Sequence, residues 1–408
     1  MQSNYSNSTG VLVTSGFVAN GLGVVRGFGR RGIPVAYIDS ERGSIARYSR
    51  YINQRLKCPS PRESDAEFVN VLMNFGKQID SKMVIIPTSD SYVLALSKHK
   101  QELEQFFFLP VPSHEIVQKL VNKRNFYKLL VEMQIPHPKT YFPEDITELG
   151  SMGREINYPY IIKPAHSMPF QEEFGRKCFV INSSEELDRA IERLREKNLE
   201  FMIQEIIPGK VVYEFYAYFN KKSEPLAICG WDKIRHFPPD FGSGSFCKSV
   251  WRSSAVEQGI SFLKAIGYHG FAGTELIKDP IDGEYKMIEV NARTITQNRL
   301  AAACGVDMEY IAYLDATGQF MGDSDSPSDN VLWVEDFLDL VSCLVHLKRK
   351  EITVGEIVES LRVRKVHSVV AWDDPAPLIP YLINLGFRAL YTYLSKPIRA
   401  LRNLLGRR

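Results

Sequence analysis

Apolar and polar positions divide the chain into stretches of different period. Up to about residue 112, short continuous apolar runs alternate with helix-spaced ones: VLVTSGF, ANGLGVVRGFGRRG and IPVAYID over 11–39, then MVIIPTSD (Met83 to Asp90) and a helix from Tyr92. Strand runs alternating with helices predict a parallel α/β domain over 1–112. From Ser113 the period becomes helical, with Ile116, Val117 and Leu120 behind a Ser113 cap. Phe126, Leu129, Leu130 and Met133 follow behind an Asn122 cap and stop at Pro136. YPYIIKP (Tyr158 to Pro164) reads as a strand, Leu187, Ile191 and Leu194 as one face of a helix, and FMIQEIIPG (Phe201 to Gly209) as a short buried strand. A helix over 255–266 precedes two apolar runs around Asp279-Pro280-Ile281-Asp282-Gly283, which together read as a β-hairpin. Two more helices close this part near Gly318, and the polar, turn-rich MGDSDSPSDN (Met321 to Asn330) is a linker. The expected units are 1–112, 113–200, 201–320 and a smaller 331–408.

The hairpin carries the chemistry. With the turn centred on Asp282, Glu275 and Glu289 lie seven residues to either side and face each other. Directly opposed residues stand with Cβ atoms roughly 4.5–5.5 Å apart, where like charges repel. At an effective dielectric of about 20 the cost is on the order of 3 kcal/mol, so a positive group belongs between them. Asn291 follows on the same side and adds a neutral oxygen, making an all-oxygen set suited to Mg²⁺ shared with nucleotide phosphates. Arg293 continues the row with a fork that can hold a phosphate. Lys233 and Arg235, two apart on a strand in GWDKIRHFPPDFGSGSF, would share a face; aimed at the same cleft they would neutralise a transferring phosphoryl group. Lys123 falls in the first turn of its helix, where an ammonium beside free backbone N–H groups suits a phosphate.

Composition narrows the classes. The 408 residues carry a formal net charge of +2, which gives no reason to expect a nucleic-acid partner. Six cysteines lie scattered with no Cys-x-x-Cys pair, which fits reduced thiols in a cytosol rather than a zinc site or disulfide framework. The first ten residues are polar and uncharged, unlike a signal peptide, and no apolar run approaches the ~20 residues of a membrane span.

These residues resemble the ATP-grasp superfamily of carboxylate ligases, in which a Glu on one strand and Glu-x-Asn on its neighbour hold Mg·ATP. The resemblance extends over about 10–320, through NKRNFYKLLVEMQIPHPKTY, YPYIIKP and the Glu275…Glu289-Val290-Asn291-Ala292-Arg293 row. DKIRHFPPDFGSGSF and EVNARTITQNRLAAACGVD are similar to the branch that includes D-aspartate ligase. The resemblance implies an ATP-grasp fold, α/β with α+β lobes. A parallel pre-ATP-grasp domain would cover 1–112, a small lobe 113–200, a large lobe with the metal site 201–320, and a C-terminal extension 331–408. It implies ATP with Mg²⁺ (or Mn²⁺) as cofactors, and small carboxylic acid and amine substrates. Lys123 and Lys163 would meet phosphates, and the backbone from Gln204 and Glu205 through Ile206 and Ile207 would meet the adenine edge. Glu214 would meet the ribose, although two extra residues precede it here. Where relatives carry a glycine-rich flap, AHSMPFQEEFGRKC offers only Gly175, so Arg176 and Lys177 would substitute.

The implied reaction joins a carboxylate to an amine through an acyl phosphate, releasing ADP and phosphate. Two rival readings predict different behaviour. A dinucleotide-dependent oxidoreductase would use the first βαβ unit, although glycines 16, 21 and 23 do not make Gly-x-Gly-x-x-Gly. An idle, membrane-peripheral binding protein would hold nucleotide without turnover. Thr88, Ser89 and Asp90, at a strand's C-terminal end, are further candidates for substrate contact. From Ile383 to Leu405, Phe387, Leu394, Ile398 and Leu401 stay in helical phase opposite Arg388, Arg399 and Arg402, with no acid after Asp374. Such a terminus could dock on the protein's own core or lie on the inner face of an anionic membrane. Oligomeric state and substrate identity are not readable from the sequence.

Overall fold

In the computed structural model, which describes residues 9–384 apart from 16–18, 41–43, 196, 198, 210 and 323–325, the chain builds three sheets. The first is parallel, in the order β3-β2-β1-β4-β5, from β1 (Val11–Thr14), β2 (Val35–Asp39), β3 (Gln54–Lys57), β4 (Met83–Ile86) and β5 (Phe107–Phe108). Leu12, Ala36, Ile38 and Ile85 enter one core while Val11, Val13, Val35 and Tyr37 enter another, so continuous apolar runs are buried on both faces as expected for such strands. The Ala19–Gly29 helix packs so closely that a Cβ on Gly23 would stand 2.2 Å from Asn298 Oδ1. Close packing is therefore what Gly23 serves. At the C-terminal ends of β1 and β4, Asn20 Nδ2 donates to Thr88 O (2.9 Å) and Thr294 O (2.8 Å). The crevice where an open sheet usually takes a ligand is thus filled by a residue from just beyond the hairpin.

The second sheet, β6-β9-β7-β8, is antiparallel: β6 (Thr140–Tyr141), β7 (Tyr160–Pro164), β8 (Phe179–Ile181) and β9 (Phe201–Glu205). Tyr160, Ile162 and Ile203 face the helices Ile146–Glu155 and Ser184–Leu194. Alternation then turns Lys163 and Gln204 to the other side. Since β9 pairs within this sheet, the small unit extends to Glu205, past the expected division at 200, and the passage to the large sheet falls at 206–211. The flap segment AHSMPFQEEFGRKC (165–178), expected as a loop, contains a helix, Ser167–Phe174. It is held by Phe170 against Phe179 (centroids 5.0 Å apart) and ends at Gly175 with φ 67°.

The third sheet runs β14-β13-β10-β11-β12-β15-β16. Its strands are β10 (Val212–Phe219), β11 (Pro225–Phe237), β12 (Ser243–Ser249), β13 (Gly270–Lys278), β14 (Tyr285–Asn291), β15 (Leu332–Val334) and β16 (Val366–His367). Phe215, Ala217 and Leu276 pack on one face with Phe126, Leu130 and Phe262; Tyr216, Tyr218 and Phe271 pack on the other with Leu300 and Met308. The extension after the linker is therefore no separate body, because β15 and β16 lengthen this sheet. It also grips the first domain: Arg26 Nε donates to Asp374 Oδ2 (3.0 Å), and Asp374 accepts from Ser49 Oγ (2.7 Å) and Arg50 N (2.9 Å). The helical stripe expected from 383 to 405 lies outside the described residues beyond Asn384. Among the described residues no helix is long and apolar enough to cross a membrane.

Both ends of the Arg26–Asp374 pair are buried. Removing one partner strands a buried charge, so Asp374→Ala is expected to cost about 3–5 kcal/mol in urea unfolding monitored by circular dichroism.

Candidate active site

The register places Glu275 of β13 opposite Glu289 of β14, as the sequence implies, but by a route the sequence does not show. Near the turn Lys278 pairs with Tyr285 and Leu276 with Met287, a register that would set Glu275 against Ile288. A bulge at Ile288 adds one residue to β14 and re-aims Glu289 onto Glu275. Tyr127 OH donates to Ile288 O at 2.8 Å, and Met287 N to Pro136 O at 2.8 Å, so the bulged strand is fastened to the Lys123–Glu132 helix and the turn after it.

On the other side of Glu275 lies Glu214 of β10, also directly opposite. Three carboxylates therefore sit abreast on three adjacent strands. Lys233 Nζ, from β11, stands 3.2 Å from Glu214 Oε2 and 2.7 Å from Glu275 Oε1. Lys123 Nζ pairs with Glu289 Oε1. Asn291, two residues on, accepts from Arg293 (3.0 Å), whose Nε in turn donates to Asp90 Oδ1 at 2.8 Å. Each expected ligand oxygen thus has a cation of its own. Two carboxylates and an amide oxygen on one strand pair are hard donors of the kind Mg²⁺ takes, so Glu275, Glu289 and Asn291 fit that ion.

Burial raises the Glu214 carboxyl to about 7, against the pull of Lys233. Burial also opposes ionisation of Glu289, but Lys123 overrides it and holds that carboxyl at about 2. Lys233 is pushed above the usual lysine range because the two glutamates outweigh its desolvation. Lys163 goes the other way: burial and then the neighbouring Lys123 ammonium lower it to about 8. Its partners are neutral, Gln204 Oε1 at 2.8 Å and Tyr127 OH at 3.4 Å.

Four placements differ from expectation. Arg235 shares the buried side of β11 with Lys233 but reaches Asp339, with contacts of 3.0 and 2.5 Å, and lies over the Phe246 ring. It clamps the Asp336–Lys348 helix instead of joining the row, because its carboxylate partner comes a hundred residues later. Glu214 is 2% exposed and bound by Lys233 and Trp231 Nε1 (3.1 Å), which leaves no surface for a ribose. At the helix start, Lys123 N donates to Ala165 O and Asn125 N to Asn122 Oδ1, so two of the amides expected to face a phosphate are already used. Gln204 turns its buried side chain to Lys163, and Glu205 Oε1 accepts from Lys139 N (2.6 Å). Ladder pairing ends at Glu205, and Ile206 and Ile207 lie in the passage between the two sheets.

Several residues carried no signal of their own. Tyr127 and Trp231 stand in helix and strand patterns with nothing local to mark them. Asp90 was one candidate in a polar triplet; its partner Arg293 is 203 positions away. Lys177, named above for the flap, is exposed just before β8.

A small antiparallel sheet is joined to a larger one, and lysines of both converge on an acidic row. Residues 120–297 match the family described as ATP-grasp domain. The chain is similar to D-aspartate ligase of Enterococcus faecium (strain Aus0004), at 27% identity over 311 residues, covering 72% of this chain and 73% of that protein. Among solved structures it is similar to the biotin carboxylase domain of Hydrogenobacter thermophilus 2-oxoglutarate carboxylase in complex with MgADP, ADP and bicarbonate, with TM-score 0.63 and 16% identity over 80% of this chain and 74% of that one. Another is carboxyaminoimidazole ribonucleotide synthase from Aspergillus clavatus complexed with ATP, with TM-score 0.61 and 17% identity over 80% and 82%. At such identities the two structures speak for the fold.

The Lys233 ammonium is what lets Glu214 and Glu275 stand together. Lys233→Met is expected to destabilise the protein by about 3–5 kcal/mol. Adding Glu214→Gln should restore at least about 1 kcal/mol of that, read as the coupling in a denaturation double-mutant cycle. Simple additivity would show that the pair does not interact.

Proposed function

We propose that the chain is an ATP-dependent carboxylate–amine ligase, and the observation that carries the reading is the Glu214–Glu275–Glu289 row with its matched cations. A substrate carboxylate oxygen attacks the γ-phosphorus of ATP, and the bond from that phosphorus to the β,γ-bridging oxygen breaks, giving an acyl phosphate and ADP. The amine nitrogen then attacks the acyl carbon, loses a proton, and phosphate leaves with the C–O bonding pair. Glu275, Glu289 and Asn291 would hold Mg²⁺ (or Mn²⁺), which when bound supplies Lewis acidity and alignment to phosphate oxygens.

The chain's own residues do the rest. Lys163 and Lys123 place fixed positive charge against the phosphates from two different elements, so that little reorganises as charge moves. Lys233, kept protonated by two carboxylates, acts as an electrostatic stabiliser and has no capacity as a base at neutral pH. Arg293, aimed by Asp90, orients an anionic oxygen next to Asn291. Glu205 through Ile207 offer backbone to the adenine edge at the passage between the sheets. Glu214 is reassigned from the ribose to the positioning of Lys233. The likeness to D-aspartate ligase supports a small carboxylic acid and an amine as substrates. The scattered thiols support a cytosolic setting.

Three outcomes check the reading. Glu289→Gln should lower Mg²⁺-dependent ATP turnover by about 10²-fold or more. ADP release measured over a panel of amino and hydroxy acids, each with an amine, should rise above background for at least one acid; a flat panel with intact ATP binding would leave only a nucleotide-binding protein. Below its value of about 8 the Lys163 amine is charged and able to hold phosphate, and above it the charge is lost. The free enzyme's kcat/KM for ATP should therefore fall as pH rises through about 8, by up to about tenfold per unit, and Lys163→Arg should move that fall to higher pH.

A further inference from the structure

Two helices of the C-terminal extension carry apolar side chains that the described residues leave uncovered. The Asp336–Lys348 helix buries Asp339, Ser342 and Cys343 while Leu340 and Leu344, one turn apart, point outward, with Leu344 67% exposed. The Val354–Arg362 helix buries no residue at all. Its Val354, Val358 and Leu361 recur at helical spacing and are all exposed, whereas Ser360 on another side faces Arg235 at 3.3 Å. Trp372 follows at 97% exposure, then Ile379.

A cation borders the stripe on each helix. At about 100° per residue, Lys348 lies roughly 80° from Leu340, and Arg362 roughly 80° from Val354, each beside its stripe. Glu356 and Glu359 fall about 140–200° from Val354, on the far side of their helix. Arg349 is occupied by Asp240 and Glu351, but Lys348, Lys350, Arg362 and Arg364 have no ion-pair partner among the described residues.

We propose that this face seats on an anionic lipid bilayer, independently of the ligase reading. Narrow apolar stripes edged by unpaired cations match the boundary between acyl chains and anionic headgroups. Residues 385–408 hold six cations and no acid, so laying them across the face would oppose like charges.

The test is co-sedimentation of the full chain with phosphatidylcholine vesicles, with and without phosphatidylglycerol, beside two triple variants. One is Leu344→Glu/Val354→Glu/Leu361→Glu on the helix face; the other is Leu394→Glu/Ile398→Glu/Leu401→Glu in the terminal stripe. The replaced helix positions are exposed, so folding by circular dichroism and ADP release should be unchanged. The native chain should bind the anionic vesicles preferentially, and the helix-face variant should bind on the order of tenfold more weakly. Equal partitioning of the native chain and the helix-face variant would overturn the proposal, whether or not the terminal variant loses binding. So would a native chain that stays in the supernatant, and a dimer in light scattering that this variant dissolves would assign the face to a second copy.

Discussion

Three glutamates abreast on neighbouring strands are an arrangement the protein cannot hold without countercharge. Glu214, Glu275 and Glu289 each face the next directly. At about 5 Å and an effective dielectric near 20, each adjacent pair repels by on the order of 3 kcal/mol. Lys233 answers the inner pair and Lys123 the outer carboxylate. Glu214 is buried so far that its carboxyl titrates near 7 in spite of Lys233, and Trp231 Nε1 supplies the remaining donor. The row is held under electrostatic tension, with full negative charge kept at its outer, solvent-facing member.

That tension fixes what the surrounding elements must do. The Ile288 bulge aligns Glu289 with the other two, and Tyr127 pins the bulge through the same hydroxyl that lies 3.4 Å from Lys163. One side chain therefore links the strand bearing Glu289 to the small sheet bearing Lys163. The first domain enters through Asp90, which aims Arg293, and through Asn20, which holds the Thr294 backbone one residue later. Arg235 fixes the other margin by clamping Asp339. Movement of either margin shifts a cation that the row depends on.

The sequence showed much of this wherever the information was local. Parallel strands, both helix caps and the hairpin follow from short-range pattern, and the facing of Glu275 and Glu289 follows from counting away from the turn. That count succeeded because the bulge moves the register centre from between Ile281 and Asp282 to Asp282 itself. What was hidden depends on partners far along the chain. Lys233 and Arg235 are alike in sequence, and only Asp339 separates their roles. Glu214 reads as an accessible acid until Lys233 and Trp231 enclose it. The helix at Ser167–Phe174 replaces an expected loop because Phe170 and Phe174 find Phe179, a contact no window of a few residues contains.

The cations are not all neutralised to the same degree, and the difference says where an anion is wanted. Lys123 and Lys233 are matched by carboxylates and sit above the usual lysine range. Lys163, close by, has an amide oxygen and a phenol as its partners among the described residues, and its ammonium is held down to about 8. A half-buried cation with neutral partners is a cost to the folded state that contacts among the described residues do not relieve. An incoming phosphate would supply the missing charge, raise the ammonium back towards the ordinary range and draw a proton from solvent as it bound. The under-neutralised lysine on the small sheet and the over-supplied acidic row on the large one are then complementary halves, and a nucleotide with a divalent cation is a ligand whose charges complete both.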